Sequence, residues 1–213
     1  MKKYVTADGL RAAVGSVLYK WLKKNKDRLH GWFKKPKPKH TVTSILMYDD
    51  INVSLIPKDA KAVAGYTGGR WPTYAKVVAG WPHAKHVSIA VSSLYSADCL
   101  DVEPGDATID QAAAWVKKQN LLWATEHHDV SRPVLYTSAS WGQKLVDACS
   151  KAGLRYGKDY LWWSAHYDPA RGKHLCGPKC GFGLKVQAHA TQWTDKAFNR
   201  SLDESFCSPG FFK

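Results

Sequence analysis

Between residues 44 and 203 the chain repeats one pattern: a short apolar run, a polar residue at or just beyond its end, then a connection. The runs fall at 44–49, 62–66, 86–91, 99–103, 133–137, 160–166, 186–193 and 201–203. Runs this short, bounded by Gly, Pro and Asp, read as buried β-strands rather than helices. Helical spacing intervenes twice. Asp106-Ala107-Thr108 opens a segment with Ile109, Ala112, Ala113 and Val116 on one side as far as about Asn120, and a second runs from Trp141 to Ala152 before Gly153. Strands alternating with helices predict an α/β protein, and eight of them predict a (β/α)8 TIM-type barrel. The body beyond residue 39 has about 174 residues, fewer than the roughly 200 at the lower end for that fold. Residues 92–98 leave no room for a helix between the third and fourth strands. The expected barrel is therefore abbreviated or irregular.

Polar residues gather at the ends of these runs. Asp49 and Asp50 follow the first, Asp101 and Glu103 close the fourth, and Tyr136 and Thr137 close the fifth. His166 and Asp168 follow the sixth, Gln192 the seventh, and Asp203 sits in the eighth. In a parallel barrel the C-terminal strand tips meet at one face, where active sites are built. The sharpest of these ends is Asp101-Val102-Glu103, followed at once by Pro104-Gly105. Residues two apart on a strand share a face, so the two carboxylates project together where Pro-Gly stops the strand. Neighbouring carboxylates raise each other's proton affinity, so one stays protonated while the other ionises. Acid/base cleavage of glycosidic bonds uses such a pair. A solvated strand end and a metal site are the competing readings of the same three residues.

The order and spacing of several motifs resemble the family-25 glycoside hydrolases (Chalaropsis-type lysozymes), and more closely a divergent set of actinobacterial and phage glycoside-hydrolase-like barrels. Leu100-Asp101-Val102-Glu103 is similar to that family's fourth strand, Pro133-Val134-Leu135-Tyr136-Thr137 to its fifth, and Trp163-Ser164-Ala165-His166-Tyr167 to its sixth. Gln192-Trp193-Thr194 and Leu202-Asp203 resemble the seventh and eighth, and Met47-Tyr48-Asp49 stands in the place of the first-strand Asp. The resemblance covers roughly residues 44–208. It implies cleavage of the β-1,4 bond between N-acetylmuramic acid and N-acetylglucosamine in peptidoglycan, or action on a related polysaccharide. By the same carry-over Glu103 is the proton donor, and Asp101 orients or stabilises the reacting sugar. Asp49, Asp203, Tyr136, Trp163, His166 and Gln192 are the expected substrate contacts. The second and third strands, with Gly65-Tyr66-Thr67-Gly68-Gly69-Arg70 and Ile89-Ala90-Val91-Ser92-Ser93, match the divergent set better than the true lysozymes. A catalytically silent barrel, acting as a wall-binding or virion component, is the alternative.

Charge divides the chain near residue 40. Residues 1–40 carry a balance of +10 and the remainder only +3. Residues 1–39 read as a basic helical arm: Leu10, Val14, Val17, Leu18, Trp21 and Leu22 recur at helical spacing over 7–24, and Lys34-Lys35-Pro36-Lys37-Pro38-Lys39 forms a stiff linker. Such an arm is either a solvated tail or a contact for an anionic polymer, an anionic membrane surface or a virion component. No run approaches the ~18–20 apolar residues that span a bilayer. Met1-Lys2-Lys3 imitates the start of a signal peptide, but charge interrupts the next residues, Thr6 to Arg11, so ordinary secretion is not expected. The expected locations are the cytoplasm until lysis, or a virion. No cofactor is implied and no metal set is assigned. An Mg²⁺-dependent nuclease reading of the acidic residues lacks a phosphate-cradling Gly-rich loop. Of the five cysteines, Cys176 and Cys180 bracket a loop near His174; the C-x3-C spacing favours a loop staple or two free thiols over zinc.

Overall fold

The computed structural model describes residues 43–213, so the helix expected over 7–24 and the Lys/Pro linker lie outside the described residues. The described chain builds a closed barrel of eight strands in sequence order. These are β1 (Ile45–Asp49), β2 (Ala62–Tyr66), β3 (Lys85–Ala90), β4 (Cys99–Asp101), β5 (Val134–Ser138), β6 (Leu161–Ala165), β7 (Ala190–Thr194) and β8 (Asp203–Cys207). Three α-helices are described: α1 (Tyr74–Gly80) after β2, α2 (Ile109–Leu122) after β4 and α3 (Ala139–Lys151) after β5. The shortage of residues for a full set of helices shows directly. Only 3-10 turns interrupt the β1–β2, β6–β7 and β7–β8 connections, and β3 reaches β4 without a helix.

Three features depart from the expectation. Strands β1 to β6 are each parallel to their successors, but β8 runs antiparallel to both β7 and β1. The β7–β8 connection is too short for a crossover that would return the chain to the starting end, and antiparallel neighbours need only a tight link. Consequently β8 begins, rather than ends, at the rim where the other strands finish. Strand β7 also starts four residues later than the apolar run suggests. Residues 186–189 serve other bonds: Ala188 N donates to Cys176 O, and His189 N to Trp162 O. Helix α1 escaped sequence reading because it is only seven residues long.

The alternation of strand residues divides the core. Met47, Ala62, Ala64, Val87, Cys99, Val134, Leu161, Trp163, Ala190 and Cys207 pack together as one buried cluster, the barrel interior. Small residues there (Ala62, Ala64, Ala190) leave room for Met47, Leu161 and Trp163, which a narrow barrel requires. Intervening residues face outward. Leu100, Leu135 and Trp162 meet Ala112, Trp115 and Val116 of α2 and Leu145 and Cys149 of α3. Helix α2 starts at a capping box in which Thr108 N donates to Gln111 Oε1 at 3.0 Å. Helix α3 lies so close to β6 that a Cβ on Gly142 would sit 2.2 Å from Trp162 Cζ2.

Candidate active site

The next inward position along the strands, two residues beyond Met47 and Cys99, gives the top layer of the barrel, and that layer is acidic. Asp49 ends β1, Asp101 ends β4, and Asp203 opens β8 directly opposite Asp49. Together with Glu103 they line a cavity of about 220 Å³, completed by Tyr66, Ile89, Tyr136, Trp163, Tyr167 and Gln192. No Lys, Arg or His is among those lining residues. The reversal of β8 is what brings Asp203 here: on a parallel eighth strand its inward start would lie at the opposite end of the barrel.

Strand β4 stops at Asp101, two residues short of the expected end, so Asp101 closes it and Glu103 lies in the turn beyond. Val102 N donates to Tyr136 O at 2.9 Å, and Thr137 Oγ1 donates to Val102 O at 2.7 Å, so Val102 is clamped to β5. Asp106 N donates to Glu103 O and Ala107 N to Asp101 O, closing a tight turn through Gly105 at a φ of +100°. Asp101 is thereby buried, 3 % exposed, while Glu103 stays half-buried at the mouth. On the neighbouring strand, in register with Asp101, Tyr136 Oη donates to Gln192 Oε1 at 2.6 Å, and Gln192 Nε2 donates to Tyr167 Oη at 2.9 Å. Trp163 packs edge-on to Tyr136, with ring centroids 4.8 Å apart, and its indole N–H donates to Ser205 Oγ at 2.9 Å. Trp163 is 1 % exposed, so it shapes the cavity floor and offers no open face for sugar stacking.

Crowded acids without a cation hold protons. Burial first, and then the Glu103 and Asp106 charges, push the Asp101 carboxyl up to about 8. Burial followed by the charges of Asp203, Asp50 and Asp101 carries Asp49 well above the usual carboxylate range. Asp203 rises to about 6, chiefly through burial and against a lowering hydrogen bond from Gln192. Glu103 is raised by burial and by Asp106. One oxygen each of Asp49 and Asp101 is buried without a hydrogen-bond partner. Near neutral pH the cavity therefore presents protonated and ionised carboxyl groups side by side, the arrangement acid/base chemistry needs.

Seven of the eight residues expected at the site share this cavity; His166 does not. Its ring turns toward the β6–β7 connection, where Nδ1 lies 2.9 Å from His174 Nε2 and Phe182 packs edge-on at 5.2 Å. The reason is positional: β6 ends at Ala165, and the alternation that points Trp163 inward places Tyr167, not His166, over the cavity. Asp168 is likewise elsewhere, partly exposed and paired with Arg171 at 3.1 Å. Sequence reading missed Tyr66 and Tyr167 as lining residues. Tyr66 ends β2, and the rule applied to the other strand ends would have found it. Tyr66 also joins the cavity to a depression of about 360 Å³ lined by Ile51, Gly68, Gly69, Arg70, Trp71, Val91 and Asp106. The Arg70 guanidinium lies 4.9 Å from the centre of the half-exposed Trp71 ring. A larger depression of about 700 Å³, lined by Thr43, Ile45, Lys61 and Phe198 among others, has Asp59 as its one carboxylate and no acid/base pair. All five cysteines are free, so the loop between Cys176 and Cys180 is not stapled by a disulfide. No helix among the described residues is long and apolar enough to cross a membrane.

No protein-family model and no curated protein matches the chain. Among solved structures, the crystal structure of an uncharacterized B. stearothermophilus protein aligns over 79 % of this chain and 100 % of its own, at 13 % identity and a TM-score of 0.49.

Proposed function

We propose that the protein is a peptidoglycan hydrolase of the lysozyme type, cleaving β-1,4 glycosidic bonds from an abbreviated TIM-type barrel. The observation that supports this reading is the clustering of Asp49, Asp101, Glu103 and Asp203 in one cation-free cavity at the barrel rim. Their proton affinities are spread: Asp101 is pushed up to about 8 and Asp203 to about 6. Pairs of titratable groups driven apart in this way mark acid and base roles. Glu103, half-buried at the mouth, hands its proton to the leaving glycosidic oxygen. Asp101 lies behind it, protonated at neutral pH, and donates a hydrogen bond to the sugar. Asp203, largely ionised above its midpoint, supplies the negative charge that an oxocarbenium-like transition state needs. Trp71 and Tyr66, along the adjoining depression, offer aromatic faces to further sugar rings, with Arg70 available to a carboxylate on the substrate.

One observation favours the catalytically silent alternative. At about 220 Å³ the acidic cavity is smaller than the roughly 300–1,000 Å³ common for ligand sites. In that reading the barrel binds wall polymer or a virion component, and the buried acids are a structural cost. Purified walls from several bacterial hosts, incubated with the full chain, separate the two. The enzyme releases reducing ends, and Glu103→Gln releases none while its circular dichroism and melting curve stay like wild type. Absence of reducing ends with the wild-type chain on every wall tested refutes the hydrolase.

A further inference from the structure

The connection from β6 to β7, residues 166–189, contains no α-helix, yet it gathers three metal-ligating side chains at one point. A ring nitrogen of His166, Cys176 Sγ and Cys180 Sγ all lie within 4.8 Å of one another. Each is positioned by the backbone. His166 N donates to Gln192 O at 2.9 Å, Cys176 N to Thr191 Oγ1 at 2.7 Å, and Cys180 N to Gly177 O at 2.8 Å across a 3-10 turn. Cys176 is wholly buried, Cys180 is partly exposed, and both thiols are free.

The imidazole is also prepared. His174 Nδ1 lies 2.6 Å from Gly172 O, which can only accept, so Nδ1 of His174 carries the hydrogen. In neutral His174 the Nε2 then accepts, and the 2.9 Å contact with His166 Nδ1 makes His166 the donor. That leaves His166 Nε2 with a free lone pair. A histidine whose far nitrogen is fixed by a hydrogen-bond partner is the usual form of a metal ligand. A disulfide between Cys176 and Cys180 would have no use for this imidazole.

We propose that His166 Nε2, Cys176 Sγ and Cys180 Sγ bind one zinc ion. Zinc is the borderline-soft cation that accepts mixed imidazole and thiolate sets. Tetrahedral zinc, at about 2.3 Å from sulfur and about 2.0–2.1 Å from nitrogen, holds its ligand atoms about 3.5–3.8 Å apart. The three atoms, at most 4.8 Å apart, therefore need to close by no more than about 1.0–1.3 Å. Binding deprotonates both thiols and releases two protons to solvent. It leaves a neutral Zn(Cys)2(His) centre whose fourth position is taken by water. No oxidation is involved. The ion ties the β6–β7 connection to β7 at Thr191 and fixes His166, the neighbour of Tyr167, whose hydroxyl accepts from Gln192 in the acidic cavity. Its role is thus to hold one wall of that cavity, and it stands whether or not the barrel is a hydrolase.

The test uses tag-free full-length chain, purified in reducing buffer, exposed to equimolar zinc and then dialysed against metal-free buffer. Elemental analysis should find about one zinc per chain in wild type, and at least a tenfold lower content in Cys180→Ser and in His166→Gln. Cobalt loading should give a thiolate-to-metal charge-transfer band that Cys180→Ser lacks. Cys180 is partly exposed, so this variant keeps the buried core intact. Melting curves of both variants confirm that they are folded. Retention of zinc in both variants, or a zinc-free wild type with five reactive thiols, overturns the proposal. So does a wild type two hydrogens lighter with a Cys176–Cys180 disulfide.

Discussion

Replacing Asp101 by Asn tests the electrostatics of the cavity through stability alone. In the folded chain burial and the nearby Glu103 and Asp106 charges hold the Asp101 proton up to about pH 8, whereas the unfolded chain releases it near the ordinary 3.8. Between those values the folded state binds more protons than the unfolded state, so stability falls as pH rises. The contribution is intact below about pH 3.8 and lost progressively toward pH 8. At about 1.36 kcal/mol per pH unit the penalty reaches about 4 kcal/mol at pH 7. Water drawn to the ionised group reduces it, so about 2–4 kcal/mol is expected. Asparagine has the same shape and no charge to desolvate. Urea denaturation of both chains at half-unit steps from pH 4 to 8 should show Asp101→Asn gaining on wild type as pH rises. With slopes of about 2–3 kcal/mol/M the midpoints should separate by about 1–2 M at pH 7. A difference that stays constant within about 0.5 kcal/mol across the range refutes the reasoning, since Asp101 would then titrate as an ordinary carboxyl.

Other expectations concern the scaffold and the proton donor. Asp98 is buried and accepts from Ser88 N at 2.8 Å and Ser88 Oγ at 2.7 Å, with His128 Nδ1 also at 2.7 Å. Asp98→Ala strands these partners and should destabilise by about 3–5 kcal/mol in chemical denaturation. Gly142→Ala drives a methyl into the Trp162 ring, where the contact would be 2.2 Å, and should lower stability by about 1–3 kcal/mol. An unchanged melting temperature would show that α3 does not sit against β6 as described. Asp106 raises the proton affinity of both Glu103 and Asp101. Asp106→Asn should therefore move the alkaline limb of any wall-hydrolysis pH profile to lower pH, and a shift the other way would contradict Glu103 as the donor.

Much of the fold is legible in the sequence because strand periodicity is local. The runs at 62–66 and 99–103 announce β2 and β4 without reference to anything distant, and Gly153 marks the end of α3 within two residues. The direction of β8 is not local. Ser201-Leu202-Asp203 reads the same in either orientation, and only closure against β1 and β7 decides it. Asp203 is accordingly assigned to the correct rim through the wrong end of its strand. The site follows the same division. Asp49 and Asp101 end their strands facing inward, Tyr136 faces inward from the middle of β5, and all three are readable from strand periodicity. The contrast between His166 and Tyr167 depends on which of two adjacent residues continues the inward alternation, a single-residue question that a shift in strand end reverses. The meeting of His166 with Cys176 and Cys180 depends on a connection without regular periodicity, where spacing carries no geometric information.

The proposed hydrolase requires that one glycosidic bond reach the four acidic side chains gathered by barrel closure. A crystal of Glu103→Gln soaked with a wall-derived tetrasaccharide should show sugar rings along Trp71 and Tyr66 and a glycosidic oxygen within hydrogen-bond distance of residue 103, facing Asp101 and Asp203. Saccharide bound on another face, or an acidic cavity that stays closed to it at saturating concentration, would rule that chemistry out.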